Sequence, residues 1–160
     1  MTLDIKLLAL LFFVNGAPII LRRLLGARWN AAVDGGKTWF DGRPLFGPSK
    51  TWRGTLGALA SGPLGAWAVD LPADLGLLAA AAAMLGDLLS SFIKRRLNIA
   101  ASGQALGLDQ IPESLLPLLL LRDELNLADR DIFIIVVDFL VLELLLSRLL
   151  FWLHIRERPY

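Results

Sequence analysis

The stretch ADLGLLAAAAAMLGDLLSSFIKRR, residues 73–96, decides the architecture. Its first 21 residues are apolar but for two aspartates and two serines, and three cations follow at once. At a rise of about 1.5 Å per residue, such a run as a helix covers roughly the 30 Å of a bilayer hydrocarbon core. Four further apolar runs occupy residues 3–21, 55–71, 111–121 and 132–155. With 56% hydrophobic residues gathered into runs rather than spread at an amphipathic period, the chain reads as an all-α integral membrane protein. It forms one membrane-embedded domain over residues 1–160, with about five transmembrane helices. The fourth run is short and carries Pro112, Glu113 and Pro117, so it spans only if its helix starts earlier, near Leu106, or if it is buried among the others. The first run lacks a basic leader and is followed by Arg22 and Arg23, so it is expected to be a retained span rather than a signal peptide.

Charge sets the orientation. Of the sixteen Lys and Arg, only Lys6, Arg122 and Arg130 fall on one side of the expected spans. The others cluster between the first two runs, after the third and at the end of the fifth, with Arg156 and Arg158 in the last group. The excess of cations on cytoplasmic loops then puts the amino terminus outside and both basic loops, with any active site, at the cytoplasmic face of the cell membrane. A net charge of +1 gives no basis for a nucleic-acid partner, and none is expected. The absence of cysteine excludes disulfides and thiolate metal sites. Gly57, Ser61 and Gly65 form a small-residue stripe for close helix packing, and the alanines from Ala79 to Ala83 can serve the same end.

Neither basic loop is long enough to build a core unaided, so a site must combine loops with helix ends. In GPSKTWRG, residues 47–54, a Gly-Pro turn precedes Ser49 or Thr51 as a helix cap, with Lys50 and Arg53 beside it. Such a turn is either a helix cap with snorkelling cations or a phosphate cradle, because free N–H groups at a helix start favour an anion. Upstream, glycines 35, 36, 42 and 47 suit a backbone wrapped closely around a ligand. In GDLLSSFIKRR, residues 86–96, Asp87, Ser90, Ser91 and Lys94 share one helix face. An aspartate about two turns inside a basic helix end marks a functional site or a buried ion pair. The topology returns Asp109 of LDQ to the same face. Two carboxylates near phosphate-binding cations suit Mg²⁺, which takes few protein oxygens and completes its shell with water and phosphate. Asn15, with Gly16 and Pro18, is either a kink or a polar group aimed at the site. Asp138 and Glu143 lie deep in the last run without a defined role, and His154 reads as a membrane-interface residue.

Together, DGRPLFGPSKTWRG, GDLLSSFIKRR and LDQ resemble the motif series of the CDP-archaeol synthases, small membrane cytidylyltransferases, and more remotely the CDP-diacylglycerol synthases. The resemblance runs from Asn15 to about Gln110. It implies a five-helix membrane enzyme that uses CTP and Mg²⁺ to convert a lipid phosphate to a CDP-activated lipid, with release of pyrophosphate. By motif, Asp87 and Asp109 would hold the metal, with Lys94 beside them in the catalytic set. Lys50, Arg53, Lys94 and Arg95 would hold phosphates, and Asn15, Lys37 and Asp41 match without a defined role. The histidine-containing segment of the remote relatives is replaced here by SGQALGLDQ, so no histidine-dependent step transfers. The competing readings are a CDP-alcohol phosphotransferase-like enzyme, whose closely spaced aspartates are missing here, and a non-enzymatic lipid carrier or scaffold. The lipid acceptor and the oligomeric state are not legible in the residues.

Overall fold

A computed structural model describes residues 1–101, 103 and 105–153; His154, Arg156 and Arg158 lie outside the described residues. The chain is all-helical: α1 Leu3–Leu25, α2 Trp52–Ala68, α3 Ala73–Arg96, α4 Gln110–Leu120, α5 Arg122–Leu125 and α6 Asp129–Trp152. Two of these, α1 and α3, are long and apolar enough to cross a membrane.

Helix boundaries follow local chemistry. Thr51 caps α2 as expected, its hydroxyl accepting from Gly54 N–H at 3.2 Å. Gly26, at φ 55°, terminates α1 beyond Arg22 and Arg23. Asn15, Gly16 and Pro18 do not end α1, which continues to Leu25; the Asn15 amide donates to Leu11 O at 3.0 Å. The fourth apolar run forms α4 from Gln110, not from Leu106, and its 11 residues cover only about 16 Å. The one-turn α5 and a left-handed Asn126 then redirect the chain into α6, whose first turn is held by Asp131 accepting from Ala128 N–H.

Small residues set how closely the helices approach. A Cβ on Gly57 would lie 2.1 Å from Leu21, and one on Gly65 would meet Leu10 and Phe13, so the predicted stripe faces α1. Contact between α2 and α3 rests instead on Gly62 and Gly76, where a Cβ on either would sit 2.3 Å from the other's carbonyl oxygen. Gly86 performs the same service for α3 and α4: a Cβ there would lie 2.2 Å from Pro112 O. The last helix closes the bundle through Phe139, fully buried, whose ring meets Phe12 of α1 at 5.0 Å.

An apolar core is combined with an apolar outer surface, and several cations and polar groups are buried beside that core. Phe13, Leu64, Leu85, Leu89 and Phe133 face outward, whereas Arg53, Ser90, Lys94, Arg95 and Gln110 are buried. Charged side chains are almost never buried without partners, so the buried cations mark where the chemistry is gathered.

Candidate active site

One cavity of about 850 Å³ opens among the basic ends of α1, α2 and α3, the start of α4 and the second half of α6. Ligand sites commonly occupy roughly 300–1,000 Å³, so this is room for a nucleotide-sized guest. Two cation–carboxylate pairs define its wall. Lys50, from the loop before α2, donates to Asp87 of α3. Lys94, two turns further along α3, donates to both carboxylate oxygens of Asp109 at 2.8 and 3.1 Å. Asp109 also accepts from Ala105 N–H at 3.1 Å, and Gln110 accepts from Gly107 N–H at 2.9 Å, which fixes the turn leading into α4. Burial works to lower the pKa of Lys50, but the negative charge of Asp87, reinforced by Glu113, outweighs it and raises it above the ordinary lysine value. The ammonium therefore remains charged at neutral pH.

Glu113 is the feature that residue spacing did not assign. Because Gly86 admits the backbone of Pro112, the first turn of α4 lies on α3 and brings Glu113 to the cavity wall beside Asp87. Glu143 and Ser147 of α6 reach the same cavity. A carboxylate between two prolines in an apolar run is itself a signal for Glu113. Its partner, however, was beyond sequence reasoning.

The loop ahead of Lys50 is organised by Asp34. Its buried carboxylate accepts from Gly36, Phe46 and Gly47 N–H at 2.9, 3.0 and 2.8 Å. Burial tends to raise its pKa, yet these three hydrogen bonds hold it below the ordinary carboxylate value. Glycines 35, 36, 42 and 47 all adopt positive φ. At Gly47 an added Cβ would also come into van der Waals contact with the Arg95 guanidinium, 3.4 Å away.

The structure gathers Asn15, Lys50, Arg53, Asp87, Lys94 and Asp109 around the cavity. It leaves three other expected site residues off its wall. Lys37 is exposed in the loop, Asp41 pairs with Arg96 at 3.0 Å, and Arg95 is packed behind Gly47. The physical reason is the fold of the loop, which turns residues 37–45 onto the outer side of α3. Arg53 lines the cavity, but its guanidinium donates to Gly26 O at 2.9 Å, Arg28 O at 2.6 Å and Asn30 Oδ1 at 3.3 Å. It therefore ties the end of α1 to α2. Ser90 and Ser91 share the Asp87 face of α3, as expected, but they are buried and do not line the cavity; Ser90 donates to Gly86 O at 2.8 Å.

The arrangement can bind polyanions. Lys50 and Lys94 present charge at the cavity wall, and every carboxylate there is a hard oxygen donor. Asp87 and Glu113 stand side by side at the wall, with the Lys50 ammonium against Asp87. Among the described residues no three Asp, Glu or His side chains converge as a ready-made metal cage. That donor set suits an ion that needs only one or two protein carboxylates.

Comparison with known proteins agrees with the motif resemblance. A family model described as "CarS-like: CDP-archaeol synthase" matches residues 67–160, a span that includes α3, α4 and α6 and therefore extends past the Gln110 limit of the motifs. The CDP-archaeol synthase of Pyrococcus furiosus is 42% identical over 109 residues, covering 62% of this chain and 62% of the relative. That of Hyperthermus butylicus is 41% identical over 103 residues, covering 61% and 58%. The matches thus span about three fifths of the length of these relatives. A solved structure, described as an intramembrane enzyme for archaeal membrane lipid biosynthesis, superposes with a TM-score of 0.70 at 30% identity over 86% of this chain and 90% of that one. The chain belongs to the CarS-like CDP-archaeol synthase family.

Proposed function

We propose that this protein transfers a cytidylyl group from CTP to the phosphate of a membrane lipid, releasing pyrophosphate and leaving a CDP-activated lipid. The observation that carries the reading is the pair of ion pairs, Lys50–Asp87 and Lys94–Asp109, facing one cavity inside an apolar-surfaced bundle. The names of the relatives point to an archaeol-type ether lipid as the acceptor. In this reading α1, α2, α3, α4 with α5, and α6 are five spans and the cavity opens to the cytoplasm, where soluble CTP would meet a lipid phosphate that stays in the bilayer. The positive-inside distribution of Lys and Arg supports this orientation.

In the reaction, an oxygen of the lipid phosphate attacks the α-phosphorus of CTP as the bond to the β-phosphate oxygen breaks. No covalent enzyme intermediate is required. Lys50 and Lys94 neutralise the triphosphate and exchange their carboxylate partners for phosphate oxygens on binding. Asp87 and Asp109, freed by that exchange and with Glu113 beside Asp87, would hold Mg²⁺. The ion would supply Lewis-acid stabilisation of charge on the phosphates. Asn15 contributes a polar amide to the α1 wall, and Arg53 keeps that wall attached to α2.

The test is turnover by protein reconstituted in lipid bilayers, with labelled CTP, Mg²⁺ and a panel of ether- and ester-linked lipid phosphates. CDP-lipid and pyrophosphate should form together. CMP release would point to a CDP-alcohol phosphotransferase, and binding of lipid without any CTP dependence would point to a carrier.

A further inference from the structure

Residues 37–45 fold into a small hairpin. Thr38 bridges Pro44, Trp39 N–H donates to Arg43 O at 2.8 Å, and Leu45 N–H donates to Lys37 O at 3.0 Å. Its tip carries two aromatic rings in contact, Trp39 and Phe40, with centroids 5.0 Å apart. Phe40 is 96% exposed, the extreme for a large apolar side chain among the described residues. An ordered turn has no local reason to hold a phenyl ring in water.

The hairpin is clamped at a definite height on the bundle. The Trp39 and Phe92 rings pack edge to face with centroids 5.4 Å apart, and the Arg96 guanidinium lies over the Phe92 ring, 4.9 Å from its centroid. Asp41 pairs with Arg96, which also donates to Pro44 O at 2.6 Å, while Arg43 donates back to Arg96 O. On α3, Leu85 and Leu89 are exposed and Phe92 and Arg96 follow at helical spacing on the same face. The hairpin thus caps the outward apolar stripe of α3 where that stripe turns basic. Under the membrane-embedded reading, on which this inference rests, that height is the headgroup region, where tryptophan and other aromatic rings concentrate. Lys37, exposed on the same hairpin, adds a cation for lipid phosphates.

We propose that this hairpin is a bilayer anchor: Trp39 and Phe40 seat in the headgroup–acyl boundary of the leaflet on the basic side. The anchor ties to the membrane surface the loop that runs through Gly47 to Lys50. The partner is a lipid surface, recognised by two aromatic rings flanked by cations.

The chain has no cysteine, so single-cysteine labelling tests this directly. Three variants, Phe40→Cys, Leu85→Cys and Arg28→Cys, are spin-labelled and reconstituted in vesicles of phosphatidylcholine and phosphatidylglycerol. Collision with oxygen, which concentrates in the bilayer, is compared with collision with a water-soluble nickel chelate. Leu85→Cys should favour oxygen and Arg28→Cys the chelate, with Phe40→Cys favouring oxygen several-fold more than Arg28→Cys does. If Leu85→Cys favours oxygen while Phe40→Cys matches Arg28→Cys, the anchor is refuted and the membrane reading survives. If Leu85→Cys itself favours the chelate, the membrane reading fails and takes the anchor with it. Dipolar broadening at Phe40→Cys that disappears on dilution with unlabelled protein would also overturn the anchor, in favour of a second copy covering the tip.

Discussion

Lys50, in the loop ahead of α2, donates to the carboxylate of Asp87, more than two turns inside the basic end of α3. The two residues are 37 positions apart, and their contact joins the first basic loop to the third apolar helix. In the proposed reaction this pair would supply an anion-binding cation and a metal-binding carboxylate in one place, each held ready by the other.

That relationship makes the two residues interdependent in turnover. Replacing Asp87 by Asn, or Lys50 by Met, should each lower CTP turnover by about 10²–10³, the range for loss of one preorganised electrostatic group. Because the groups touch, the double variant should fall well short of the product of the two losses. Turnover of the three variants, with helical content checked by circular dichroism, measures this coupling. Strict multiplicativity would mean that the pair does not act as a unit.

Gly86→Ala should couple a packing defect to a catalytic one. The added methyl would meet Pro112 O, so α4 must withdraw from α3 and carry Glu113 away from Asp87. A destabilisation of about 1–3 kcal/mol is expected for such overpacking, with activity reduced even at temperatures where the protein is folded. Gly16→Ala is the control, because an added Cβ there meets nothing within 4 Å. It should be close to neutral. Thermal unfolding in detergent micelles and turnover on the same samples separate the two effects.

Asp34→Asn should loosen the loop without touching the cavity carboxylates. A carboxamide oxygen cannot replace a carboxylate accepting three N–H groups, and a loss of about 1–3 kcal/mol in local stability follows. The sign of the pH dependence is set by the lowered folded-state pKa. The contribution is complete above the unfolded value of 3.8 and is lost only as pH falls through the lower folded value. The protection of the Phe46 and Gly47 amides relative to their intrinsic exchange rates should therefore be constant from neutral pH to about 4 in the parent and lower throughout in the variant.

Arg53→Lys keeps the charge and removes the fork. If the guanidinium mainly joins Gly26 and Arg28 carbonyls to α2, the variant should lose about 1–3 kcal/mol of stability while the apparent KM for CTP stays near the parent value. A selective rise in KM with unchanged stability would return Arg53 to the phosphate-binding set of the motif reading.

Much of the helical framework was legible because hydropathy runs, caps and breakers are local. The third run, residues 73–93, became α3 with its basic tail inside the helix, and Thr51 capped α2 where its side chain could reach a free N–H. Asn15, Gly16 and Pro18 do not interrupt α1. In a bundle, neighbouring helices restrain the chain, and both α1 and α4 continue through their prolines. That Lys50, Asp87, Lys94 and Asp109 come together around one cavity was legible, since charge at an apolar helix end is costly and draws partners wherever it occurs.

What the sequence by itself determined was an all-helical, apolar-surfaced chain with its cations gathered at one end and its family motifs in order. Local propensity and the cost of burying charge act residue by residue, so a linear reading captures them. Only the tertiary structure decided which groups meet. Glu113 reaches Asp87 because two backbones touch at Gly86 and Pro112, and Arg53 turns to the α1 carbonyls because α2 lies against that helix end. Residues 37–45 fold onto α3 through Asp41 and Arg96 instead of lining the cavity. Such contacts depend on how closely helices distant in sequence approach, and that distance is set by packing of the whole bundle rather than by any one segment.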